Sequence, residues 1–132
     1  MSSADPKAKR PISPHLQIYH MAPTMFVSIT QRVTGVAMYF GTILLAWWLL
    51  AAASGAGHFR LVSELAGSWI GLVVLFGYTW ALMFHALGGI RYFIWDSGRG
   101  MDKPARDQIA MANIVGSVVL TVILWIIGLW VW

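Results

Sequence analysis

The stretch Ser28-Ile29-Thr30-Gln31-Arg32-Val33-Thr34-Gly35 leads into a run from Val33 to Gly57 that contains no charged residue. About 20 apolar residues cross the hydrocarbon core of a bilayer, so this run reads as a membrane helix. Two more uncharged runs follow, Leu65 to Ile90 and Gln108 to Trp132. Arg32 stands at the mouth of the first. An ionisable side chain there is expensive unless something anionic or polar meets it, which makes it a functional candidate. Ser28 lies one helical turn earlier on the same face. A hydroxyl and a guanidinium aimed the same way at the membrane edge can hold the polar head of a ligand whose body lies in lipid.

Composition agrees with this reading. The chain has 132 residues, of which 58% are hydrophobic and 11% charged. Soluble domains carry about 25% charged residues. The expected fold is an all-α membrane protein with three transmembrane helices, over residues 28–53, 65–95 and 108–132. Residues 1–27 precede them as a cytoplasmic segment, and the whole of 1–132 forms one membrane-anchor domain. The sequence contains no cysteine, which excludes disulfides and thiolate metal ligands. The net charge of +4 is not a nucleic-acid signal, because the basic residues flank the spans as orientation signals do. Lys7, Lys9, Arg10, Arg32, Arg91, Arg99, Lys103 and Arg106 fall on one side of three alternating helices, and Arg60 alone on the other. The positive-inside rule then places the N-terminus and the 91–107 loop in the cytoplasm and the C-terminus in the periplasm. Trp47, Trp48, Trp69, Trp125, Trp130 and Trp132 gather toward the outer boundary, and Trp95 marks the inner one. No cleavable signal or transit peptide is legible, so the expected location is the bacterial cytoplasmic membrane.

Pro6, Pro11, Pro14 and Pro23 predict an extended or turn-like N-terminal segment. The 54–64 segment reads as a plain connector, and 96–107 as a loop broken by glycine and proline. The spans are apolar all round, so their inward faces are read from small and polar residues. Ser28, Arg32, Gly35, Tyr39, Thr42 and Ala46 mark one face of the first span. Gly67, Gly71, Val74, Tyr78, Ala81, His85, Gly88 and Tyr92 mark the second, and Asn113, Ser117 and Thr121 the third. Ordinary close packing of membrane helices accounts for most of these residues.

His85 is the one histidine inside a span. Ala81, Gly88 and Gly89 around it are small enough to leave a flat recess beside the imidazole. Imidazole is a common axial ligand of haem iron, and it also makes interhelical hydrogen bonds. Spacing alone leaves both readings open. Arg91 lies six residues further on, about 9 Å along a helix. It and Arg32 could meet haem propionates, while the plainer reading of Arg91 is a topology anchor paired with Asp96 or lipid phosphate. A single membrane histidine leaves the other axial position of a low-spin haem to another chain. No acid pair, nucleophile with a base, or phosphate loop occurs, and Gly98-Arg99-Gly100 lacks the context of a nucleotide fold. His15, His20 and His58 have no metal-ligand spacing.

Three motifs carry a family resemblance: Arg10-Pro11-Ile12-Ser13-Pro14-His15-Leu16-Gln17-Ile18-Tyr19, Ser28 to Gly35, and His85-Ala86-Leu87-Gly88-Gly89-Ile90-Arg91-Tyr92 ending at Trp95-Asp96. Together they resemble the cytochrome b556 subunits of succinate dehydrogenase. The resemblance implies half of a heterodimeric, haem-binding helix bundle, completed by a second small membrane-anchor subunit that supplies the other haem ligand. It implies an iron–sulfur subunit and a flavoprotein subunit as further partners, with no enzyme activity in this chain alone. Electrons pass from succinate to ubiquinone in such complexes. The position matching His85 ligates haem b, and those matching Ser28 and Arg32 help form the ubiquinone site. Two residues depart from the family pattern: Gln31 and Tyr92 stand where histidine is frequent. A cofactor-free structural anchor and an anchor of quinol:fumarate reductase are the alternatives.

Overall fold

In the computed structural model, residues 20–131 are described, and four helices account for nearly all of them. They are α1 (Pro23–Ser54), α2 (Ala56–Gly67), α3 (Trp69–Asp96) and α4 (Lys103–Val131). Helices α1, α3 and α4 are each long and apolar enough to cross a membrane. The N-terminal motif from Arg10 to Tyr19, the basic residues Lys7 and Lys9, and Trp132 lie outside the described residues.

Each boundary has a local cause. Helix α1 starts at Pro23, five residues ahead of the expected 28. Proline suits a first helical position, since its fixed φ is preorganised and its missing N–H has no partner there anyway. Helix α4 starts at Lys103 rather than 108, with the Asp102 carboxylate accepting from the Ala105 N–H at 3.3 Å. The 96–107 loop therefore shrinks to a short turn through Gly98 and Gly100, both at positive φ, which glycine adopts without a Cβ penalty.

The 54–64 segment is not a plain connector: it forms most of α2. Gly55, at φ 114°, breaks the chain from α1. Val62 is then buried, and Phe59 meets Trp48 with ring centroids 5.9 Å apart. The outer face keeps an exposed Arg60–Glu64 pair at 3.6 Å. Leu65 to Gly67 end α2 rather than begin the second span, because Ser68 caps α3 by accepting from the Gly71 N–H at 3.1 Å. Gly71 is required at that corner, where a Cβ would strike the carbonyls of Leu65 and Ala66.

Partner contacts fix the topology. Gln31 and Thr34 of α1 meet His85 of α3, while Gly41 meets Tyr78. The numbers rise on one helix as they fall on the other, so the two are antiparallel. Asn113 of α4 reaches Phe84 of α3, and Trp125 reaches Thr79, so that pair is antiparallel too. The start of α1, the end of α3 and the start of α4 thus share one end, together with Arg32, Arg91, Arg99, Lys103 and Arg106.

The interior is small and sits toward that end. Val27, Phe84 and Ala110 form its apolar centre, with Trp80 and Ile114 packed against it. Asn113, Ser117 and Thr121 are buried, as the third stripe predicts. The first stripe behaves differently. The buried residues of α1 are Val27, Gln31, Thr34, Gly41 and Ala51, whereas Arg32, Tyr39, Thr42 and Ala46 are exposed. That stripe faces away from this chain's own bundle, about 100° per residue round the helix from the buried one.

Candidate functional site

His85 is half-buried on α3, against α1. Its Nδ1 lies 3.4 Å from the Thr34 hydroxyl, and its backbone carbonyl accepts a bond from Gln31 Nε2 at 3.1 Å. A Cβ on Gly35 would come within 3.2 Å of His85 Cε1, so the small residue lets the ring lie close to α1. Nε2 has no hydrogen-bond partner among the described residues. The recess expected at Gly88 and Gly89 is only half present. The Gln31 amide fills the space over Gly88, whereas Gly89 faces open space.

Arg91 is 1% exposed, and its Nε, Nη1 and Nη2 make no hydrogen bond among the described residues. It neither snorkels nor pairs with Asp96; the exposed Arg60–Glu64 contact is the ion pair seen among those residues. The guanidinium lies 5.1 Å from the Tyr92 ring centroid and 4.9 Å from that of Trp95. Such stacking is worth about 0.5–2 kcal/mol, less than the several kcal/mol that burying an ion costs. The indole N–H of Trp95 is buried and unpartnered as well. Tyr92 follows His85 by seven residues, almost in line along the helix at 3.6 residues per turn. No acceptor meets the Arg91 and Trp95 donors among the described residues.

Ser28 and Arg32 form a second region at the same end. With Thr24, Met25 and Ile29 they line a shallow groove on the outside of α1. Ser28 is half-buried and Arg32 exposed. Arg32 has no hydrogen bond or ion pair among the described residues. The groove can offer the hydroxyls of Thr24 and Ser28 and the Arg32 cation to a ligand lying along the helix.

Sequence reading missed the part of Thr34 and gave Gln31 only as a departure from the family's histidine. The signal was present in the register Val27, Gln31, Thr34, spaced four and three. That register competes with Ser28, Arg32, Gly35, and a charged residue drew the face toward the second set. Gln31 holds the backbone of His85, and Tyr92 is a platform for Arg91.

The geometry defines a class: an all-α, three-span membrane protein with a half-buried histidine, an orphaned internal arginine and a polar groove, all toward one end. Residues 6–124 match the family described as succinate dehydrogenase/fumarate reductase transmembrane subunit. The chain is 39% identical to the succinate dehydrogenase cytochrome b556 subunit of Paracoccus denitrificans over 89% of this chain and 90% of that one. It is 35% identical to the subunit of the same name from Rickettsia felis, over 89% of this chain and 92% of that one. The mitochondrial cytochrome b560 subunit of Sus scrofa is 35% identical over 87% of this chain and 69% of its own length. This chain belongs to the succinate dehydrogenase/fumarate reductase transmembrane-subunit family.

Proposed function

We propose that this chain is a haem b-carrying membrane anchor of a succinate:ubiquinone oxidoreductase and contributes part of the ubiquinone-reduction site. The observation that carries the reading is the pairing of a histidine whose Nε2 is free with a buried guanidinium that has no anion. A b-type haem asks for both, an imidazole for iron and cations for its two propionates. The relatives' names, cytochrome b556 and b560, support it. His85 would hold the haem iron through Nε2. Arg91 is the first candidate for a propionate, with Arg32 second. When bound, the haem accepts and returns one electron.

Ser28 and Arg32 take the quinone head group. Ser28 donates its hydroxyl to a carbonyl oxygen. Arg32 supplies positive potential where negative charge develops on reduction, and oriented cationic donors act strongly where water is scarce. The groove opens at the end that carries most of the basic residues, which the positive-inside rule places in the cytoplasm. That side would let protons reach the reduced quinone from cytoplasmic water. The dehydrogenase chemistry belongs to a flavoprotein and an iron–sulfur subunit docked there. A second small membrane subunit supplies the other haem ligand, and the outward stripe Arg32, Tyr39, Thr42 and Ala46 leaves room for another helix. The location is the bacterial inner membrane, with the C-terminus periplasmic.

Purifying the complex by a tag on this chain tests the reading. The expected product contains flavin and iron–sulfur polypeptides and a second small membrane polypeptide, and shows a b-type band on reduction. Flavin and iron–sulfur subunits without such a band would favour the cofactor-free anchor. A complex that oxidises quinol with fumarate far faster than the reverse would favour the fumarate reductase reading.

A further inference from the structure

We propose that Thr34 is a positioning residue that fixes the tautomer of His85. This rests on the reading of His85 as an iron ligand. A threonine hydroxyl has one hydrogen and two acceptor lone pairs. The Thr34 hydrogen goes to the Gln31 carbonyl oxygen at 3.1 Å, one turn back on α1. Toward His85 Nδ1, 3.4 Å away, the oxygen is then left to accept. The imidazole therefore carries its hydrogen on Nδ1 and its lone pair on Nε2, the nitrogen without a partner. A hydrogen bond at one ring nitrogen decides which nitrogen is free to bind metal.

Two further contacts keep the ring in place. Thr34 is 2% exposed, so water does not compete for its hydroxyl. Gln31 accepts the Thr34 hydrogen on its backbone and donates its side-chain amide to the His85 carbonyl. Gly35 lets the Cε1 edge of the ring approach α1. Residues 31, 34 and 35 thus hold one imidazole by its backbone, its Nδ1 and its edge.

A hydrogen bond accepted from Nδ1–H raises the electron density at Nε2 and favours ferric over ferrous iron. Removing it raises the midpoint potential. Outer-shell changes of this kind alter metal affinity by about 10-fold or more, and a tenfold change in the ferric-to-ferrous balance is 59 mV for one electron.

The test is a redox titration of the b-type band in the whole complex carrying Thr34→Val or Thr34→Ser. The Val variant keeps the shape and loses the hydroxyl; the Ser variant keeps the hydroxyl. The expected result is a retained band with an upward shift of about 59 mV in Thr34→Val and a wild-type potential in Thr34→Ser. Loss of the band in Thr34→Val alone also supports the assignment. An unchanged or lower potential in Thr34→Val, equal shifts in both variants, or loss of the band in both would overturn it, while leaving His85 as ligand. Absence of a b-type band from the wild-type complex would instead sink the haem reading itself.

Discussion

Arg32 and Arg91 lie toward the same end of the bundle in opposite surroundings. Arg32 lies in an open groove on the outside of α1, where a guanidinium keeps its solvation or meets a ligand from outside. Arg91 is buried, stacked on two aromatic rings of its own helix, with three nitrogens unmatched. The first is inexpensive to keep and useful when something arrives. The second is expensive at every moment unless an anion is permanently present. In the proposed reading a resident group meets the inner arginine and an exchanging one the outer. The proposed division follows: haem propionate for Arg91, quinone for Arg32.

The sharpest way to break this division is at His85. His85→Ala removes the only imidazole within the described spans, and the reduced b-type band of the purified complex is expected to vanish. An unchanged band would exclude His85 as a ligand and leave Arg91 without its explanation. The next largest effect is expected from Arg32→Leu. A hydrogen bond to a charged group contributes about 1.5–3 kcal/mol, so succinate-driven quinone reduction should fall about 10- to 100-fold. Succinate oxidation by a soluble dye and the b-type band should both persist. Parallel loss of dye and quinone activity would show failed assembly instead.

The three spans were legible because a bilayer imposes length and apolarity, and three uncharged runs meet both demands. Helix α2 was not, since Ser54-Gly55-Ala56-Gly57-His58 looks like a turn. Its amphipathic face depends on Phe59 and Val62 finding α1 and its Trp48, a tertiary contact. The roles proposed for His85 and Arg32 came from the rarity of polar residues in lipid. The inward face of α1 could not be chosen from sequence. Gln31-Arg32-Val33-Thr34 offers two polar faces at helical spacing, and only packing against α3 separates them. The burial of Arg91 was equally hidden, because an arginine five residues before Asp96 fits a membrane-edge anchor as well as an interior ion.

Arg91→Met separates the two arginines most directly, through stability and potential rather than turnover. Methionine fills similar space, and Arg91 donates no hydrogen bond among the described residues. If the guanidinium had no anion in the assembled complex, relief of the buried charge would raise thermal stability. With a propionate against it, the change leaves that anion unmatched, and breaking such a buried pair costs about 3–5 kcal/mol. The complex is therefore expected to melt earlier. The potential should also move. Loss of a cation disfavours the added electron, so the midpoint falls, opposite in sign to the shift expected for Thr34→Val. A more stable complex with an unmoved potential would mean that Arg91 faces no haem, and that its unmatched donors serve another anion.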